Sequence, residues 1–108
     1  MEEIRTNNYS AHDVFNEASA KSLKDTKPED VLTVSGVHIC ERPDNDGVVR
    51  TQCFFKTNAG IFGTVSKSVL VSATALPDLL KEEDAVKIKV VRRKGNSGRE
   101  YLMLELAE

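Results

Sequence analysis

From Val31 onward the apolar residues recur at every second position, and the repeat changes phase at a single glycine. Leu32 and Val34 alternate with Thr33 and Ser35, whereas beyond Gly36 the apolar places are Val37 and Ile39. A period of two marks a strand with one buried face. A one-residue slip at glycine marks a β-bulge, which bends the strand and increases its twist. A long first strand bent in this way can serve both halves of a small barrel.

The rest of the chain fits that start. Asp44-Asn45-Asp46-Gly47 is a turn signal, and the second strand follows from Val48 to Thr57. Val49, Thr51, Cys53 and Phe55 form its core-like face, and Arg50, Gln52, Phe54 and Lys56 the other. After the turn Thr57-Asn58-Ala59-Gly60, a third strand from Ile61 to Ser66 puts Ile61, Gly63 and Val65 on one side and Phe62, Thr64 and Ser66 on the other. Lys67 to Asp84 lacks strand period. Pro77 suits the first turn of a helix, which predicts a helix over Pro77–Glu83, with Lys67–Leu76 helical or irregular. Val86, Ile88 and Val90 alternate with Lys87, Lys89 and Val91 in a fourth strand. Lys94 to Arg99 is a flexible basic hairpin loop, and Tyr101 to Leu106 is the last strand, with Leu102, Leu104 and Leu106 on one face. Three strands, a helix and two strands is the order of the OB fold. The expectation is a single mainly β domain over residues 1–108: a five-stranded OB-fold barrel from 31 to 108, with a helix between strands 3 and 4, and an N-terminal arm and extra helix over 1–30.

In that first part, residues 1–9 read as a loose polar arm. Ser10-Ala11-His12-Asp13 has the spacing of a capping box, and Tyr9 and Val14 stand where a hydrophobic staple places its residues. Ala11, Val14, Phe15, Ala18 and Leu23 make an apolar stripe at helical spacing, read as a packing face for the barrel or for a second copy. Thr26-Lys27-Pro28-Glu29-Asp30 ends the element.

Several functions are disfavoured. No apolar run reaches the roughly 20 residues of a membrane helix, and the start lacks the pattern of a signal peptide, which predicts a cytoplasmic protein. Cys40 and Cys53 have no zinc-type spacing and read as small buried residues, reduced and inert. His12 and His38 have no Ser or Cys constellation around them. No catalytic, metal or cofactor signature is found, so the expectation is a non-enzyme without cofactor.

The net charge of −2 disfavours coating duplex DNA by bulk charge. The charge is unevenly spread, however. Lys87, Lys89, Arg92, Arg93, Lys94 and Arg99 fall in one short stretch, while Glu2, Glu3, Asp13, Glu17, Asp25, Glu29 and Asp30 crowd the first thirty residues. A local basic strip on an acidic protein suits a directed groove. OB barrels bind oligomers across strands two and three with the flanking loops. Here Phe54 and Phe62 are expected on one outward face, with Arg50, Gln52 and Lys56 on the second strand and Lys87, Lys89, Arg93, Lys94, Arg99 and Tyr101 on the last hairpin. Rings that stack on bases and cations that follow phosphates are the two ingredients of single-strand binding. The same rings also read as packing residues covered by the N-terminal helix or a second subunit, and the lysines as a solvated face that discourages edge-to-edge pairing.

The run from Val86 to Leu106, with Lys94-Gly95-Asn96-Ser97-Gly98-Arg99 at its tip, resembles the C-terminal hairpin of small phage and prophage single-stranded DNA-binding proteins. Gly63-Thr64-Val65-Ser66 is similar to their third strand. The likeness spans roughly Val31 to Leu106 and leaves the N-terminal helix out. It implies an OB fold, sequence-independent binding of single-stranded DNA (RNA being the alternative ligand) and a role in replication or recombination, with a possible homo-oligomer. Two features depart from it. There is no Trp, and the chain reads to Leu106-Ala107-Glu108 without the long acidic, aromatic-ended tail by which bacterial homologues recruit partners, an expectation against such recruitment. A non-catalytic protein-interaction or assembly barrel is the competing expectation.

Overall fold

The computed structural model describes residues 3–27, 30–43 and 46–107. Its elements are β1 (Ile4–Arg5), α1 (Ala11–Asn16), β2 (Lys21–Ser22), β3 (Val31–Pro43), β4 (Val49–Thr57), β5 (Gly60–Thr64), α2 (Lys67–Ala73), α3 (Leu76–Glu82), β6 (Val86–Lys94) and β7 (Glu100–Leu106). Short 3₁₀ turns at Glu17–Ser19 and Leu23–Asp25 flank β2. The fold is mainly β. A sheet in the order β2-β5-β4-β3-β6-β7, with β1 also on β3, curls into a half-barrel. Asp44 and Asn45 of the expected turn, and Pro28 and Glu29 of the expected helix end, lie outside the described residues.

The bulge is where the phase slip put it. Val34 pairs with Thr57 and Gly36 with Lys56, which leaves Ser35 as the extra residue. Below the bulge β3 pairs with β6 over Val31–Val34; above it, β1 adds to the same strand at His38 and Ile39. A Cβ on Gly36 would sit 3.1 Å from the Asn8 carbonyl oxygen, so glycine lets the N-terminal segment lie against the bulge.

The inner face of the sheet carries the core: Val34, Val37, Ile39, Cys53, Phe55, Phe62, Ile88, Val90, Leu102 and Leu104, closed by Val69, Ala73 and Leu76 of the two helices. Each such large side chain, removed from water, contributes about 1.5–3 kcal/mol. Pro77 stands in the first turn of α3, where its missing N–H removes no helical hydrogen bond.

The N-terminal part departs from expectation. The capping box is present, with Ser10 accepting from the Asp13 N–H and Asp13 accepting from the Ser10 N–H. The arm before it is not loose: β1 pairs with β3, and Tyr9 is buried. The buried side of α1 carries Asp13, Val14 and, just beyond, Glu17, whereas Phe15 is 83% exposed and Ala18 is exposed as well. The six-residue helix is too short to carry the whole stripe inward, and its polar residues find partners on the sheet instead. Leu23 continues past the helix to full burial in the main core.

Among the described residues no ladder joins β5 to β7, and the N-terminal stretch occupies part of that seam. β2 runs parallel to β5 at Phe62 and Gly63. Arg92 Nη2 of β6 donates to the Lys24 and Thr26 carbonyls at 2.8 Å each.

Candidate nucleic-acid interface

Strand register decides which expected site residues meet. Phe55 pairs with Phe62, and Phe54 with Gly63. Directly paired residues share a face, so Phe62 faces the core with Phe55, and Phe54 faces outward. The expectation that Phe54 and Phe62 share an outward face is therefore corrected. Phe62 is 6% exposed within the main core, its ring 5.7 Å from Lys21 Nζ. Phe54 does face outward, but at 8% exposure it is largely covered by the N-terminal segment, in a cluster with Tyr9, Cys40, Val14, Ala20 and Ile61. Its ring lies over Gly63, where a Cβ would come within 3.0 Å.

Beside Phe54 the open seam forms a groove of about 530 Å³. Gln52 and an edge of Phe54 line it from β4, Gly63 to Ser66 from β5 and beyond, Glu100 to Leu102 from β7, and Ser22 and Lys24 from the N-terminal stretch. Tyr101 is its accessible ring, 39% exposed. Gly95 of the hairpin loop lies next to that ring, where a Cβ would be in ordinary contact at 3.7 Å. The loop closes through Gly95 N–H to the Arg99 carbonyl at 2.9 Å and Gly98 N–H to the Gly95 carbonyl at 3.0 Å, with Gly98 at a φ of 80°. This fixes the loop that carries the exposed cations Lys94 and Arg99, with Lys94 opposite Glu100.

The other expected cations divide. Arg93 is opposite Tyr101 and pairs with Glu105 at 2.6 Å. Lys87 and Lys89 lie on the same hairpin, but six and four residues from Arg93, about 20 and 13 Å at 3.3 Å per residue; the groove does not gather them. Arg50 stands opposite Arg42 on the outward face of β3 and β4. Lys56 is held by the N-terminal segment, 3.1 Å from Asp13 Oδ2 and donating to the Asn8 carbonyl at 3.1 Å.

The outward face of β3 carries a buried polar network that alternation and composition do not foretell. His38 is 1% exposed. Its Nδ1 meets Glu17 Oε2 at 2.5 Å, and the same oxygen accepts from the Tyr9 hydroxyl at 2.7 Å. Arg42 Nη2 lies 2.7 Å from Glu17 Oε1, and Glu3 Oε1 lies 3.3 Å from His38 Nε2. These last two contacts are at ion-pair distance, yet neither buried atom gains a well-aligned hydrogen bond. Burial, then the hydrogen bond to Glu17, pushes the Tyr9 hydroxyl well above its ordinary pKa. Burial works to raise the Asp13 carboxyl, but hydrogen bonds from Ser10 and Lys56 outweigh it and hold it below the usual range. The only sequence signals for the network are a histidine at an outward strand position and an acidic N-terminal stretch.

Cys40 and Cys53 are buried free thiols, both pushed up by burial. Among the described residues no group of three or more His, Cys, Asp and Glu side chains is placed to hold a metal ion, and no helix is long and apolar enough to cross a membrane. No protein-family model, curated protein or solved structure matches the chain.

Proposed function

We propose that this chain is a non-catalytic, sequence-independent single-stranded DNA-binding protein on an OB-type barrel, protecting single strands in phage or prophage replication or recombination. The observation that carries the reading is the groove at the β5–β7 seam. It has an accessible ring at Tyr101, amide and hydroxyl groups along Gln52, Thr64 and Ser66, and Lys24 and Glu100 in its lining, with the exposed cations Lys94 and Arg99 on the hairpin loop next to Glu100 in the chain. Tyr101 stacks a base, which any base satisfies, and the cations follow the phosphates. The connectivity supports the OB assignment: β3, β4 and β5 in sequence, then helices, then β6 and β7, with β3 also paired to β6. The phage role rests on the resemblance of the Val86–Leu106 hairpin. A net charge of −2 with cations concentrated on the last hairpin favours a directed strand path over a sticky surface.

Fluorescence anisotropy of a labelled oligo-dT, titrated with the full chain over a series of salt concentrations, tests the reading. Log affinity is expected to fall linearly with log salt, by about 0.7 for each phosphate contact, with oligo-dA and oligo-dC close behind oligo-dT. Absence of binding at low salt, or binding indifferent to salt, overturns it in favour of an assembly barrel.

A further inference from the structure

Resting on that reading, we infer that residues 3–17 are an internal competitor for the DNA strand: Asp13 and Glu17 occupy Lys56 and Arg42 where phosphates sit when the strand is fully bound. The sheet face beneath this segment has the chemistry of a single-strand path. It carries the Phe54 ring with the Arg42 guanidinium 5.5 Å from its centre, the His38 ring stacked 6.2 Å away, and Lys56 at the far end. The face is continuous with the groove, because Phe54 lines the groove at one edge and lies under the N-terminal segment at the other.

What covers the face matches it group for group as an anionic strand would. Asp13 meets Lys56, Glu17 meets Arg42 and His38, and Glu3 meets His38. The Tyr9 ring lies 5.3 Å from the His38 ring, in the place of a base.

The cover is built to be exchanged. Buried ion pairs add little net stability, because desolvation offsets their attraction, and two buried atoms here, Glu17 Oε1 and His38 Nε2, lack an aligned hydrogen bond. Lifting the segment into water alone would give up both ion pairs and uncover the apolar cluster around Phe54. Replacing its carboxylates by phosphates keeps both cations paired. Polyanion binding therefore opens the segment while the anchor at Leu23 and the Arg92 contacts stay in place. The bound strand then runs from the groove onto β4 and β3.

Two measurements on the full chain test this. Hydrogen exchange of the wild-type protein is followed with and without saturating oligo-dT. The amides of residues 11–17 are expected to exchange at least tenfold faster in the complex, against protection at Gly63–Ser66. In the second, Asp13→Asn/Glu17→Gln is compared with Glu82→Gln/Glu83→Gln, which removes the same charge from exposed sites on and just after α3. The first variant is expected to bind oligo-dT about tenfold tighter than the second. Its salt slope should match that of the second variant, because both complexes make the same phosphate contacts and differ only in the cost of displacing the carboxylates. If oligo-dT binds the wild type while residues 11–17 stay equally or more protected, or if the two variants bind oligo-dT equally tightly, the competitor role is overturned and the groove reading stands. If oligo-dT does not bind at all, the groove reading falls and this inference with it.

Discussion

Leu23→Ala examines the claim that the N-terminal stretch is a structural part of the barrel at its open seam. Leu23 is fully buried, in the same cluster as Phe62 and Leu102, and it enters from a segment held by β2 on one side and Arg92 on the other. Truncating a buried leucine costs about 2–5 kcal/mol, according to how far the site can collapse. The neighbouring groove lets water approach, which points to the lower part of that range, about 2–3 kcal/mol. For a domain near this size each kcal/mol shifts Tm by about 4–8 °C, so a fall of about 10–20 °C is expected. Urea denaturation followed by far-UV circular dichroism should give a lower midpoint with an unchanged slope, the mark of a stability change without a change in exposed surface. Phe15→Ala, on the same segment but 83% exposed, serves as the control and should stay within about 0.5 kcal/mol of wild type. A loss below about 1 kcal/mol for Leu23→Ala would refute that structural role and leave residues 3–27 as an appendage.

Phe62→Ala should destabilise by about 3–5 kcal/mol, since its ring is core; a folded variant of wild-type Tm, measured by the same melts, would contradict the register. Tyr101→Ala should leave Tm unchanged and weaken oligo-dT binding by about 1–3 kcal/mol with the salt slope kept, whereas Arg99→Ala should flatten the slope by about 0.7; anisotropy titrations separate the two. Asp13 is held below the usual carboxylate range in the folded state, so it stabilises the fold above its unfolded pKa of about 3.9 and loses that contribution as pH falls through the lower folded value. The stability gap between wild type and Asp13→Asn, from urea midpoints, should therefore narrow between about pH 5 and pH 2.

Features fixed by neighbours along the chain are legible in the sequence itself. The bulge at Ser35 and Gly36 shows as a phase slip, the capping box of Ser10 and Asp13 as a spacing, and Pro77 as a helix start. The pairing of Phe62 is not legible in that way. Alternation tells which residues of one strand share a face, but the face of β5 that turns inward depends on its register with β4, and a slip of one residue inverts the answer. Alternation does give Phe54 its outward direction, yet its cover comes from Tyr9 and Val14, some forty residues away in the chain. The Glu3–Glu17–His38–Arg42 network is wholly tertiary: no local pattern pairs a strand histidine with a carboxylate 21 residues earlier. Lys87 and Lys89 group with Arg93 by composition, and only strand geometry separates them from the groove.

Single-stranded DNA lying along the β5–β7 seam is the central claim, and amide chemical-shift mapping of the labelled full chain with oligo-dT tests it most directly. Large shifts are expected at Gln52, Gly63–Ser66 and Lys94–Leu102, together with those of the displaced 3–17 segment, and α2, α3 and the Val86–Lys89 end of the hairpin should stay quiet. Shifts confined to the α2–α3 surface, or a spectrum unchanged by oligo-dT at low salt, would contradict it.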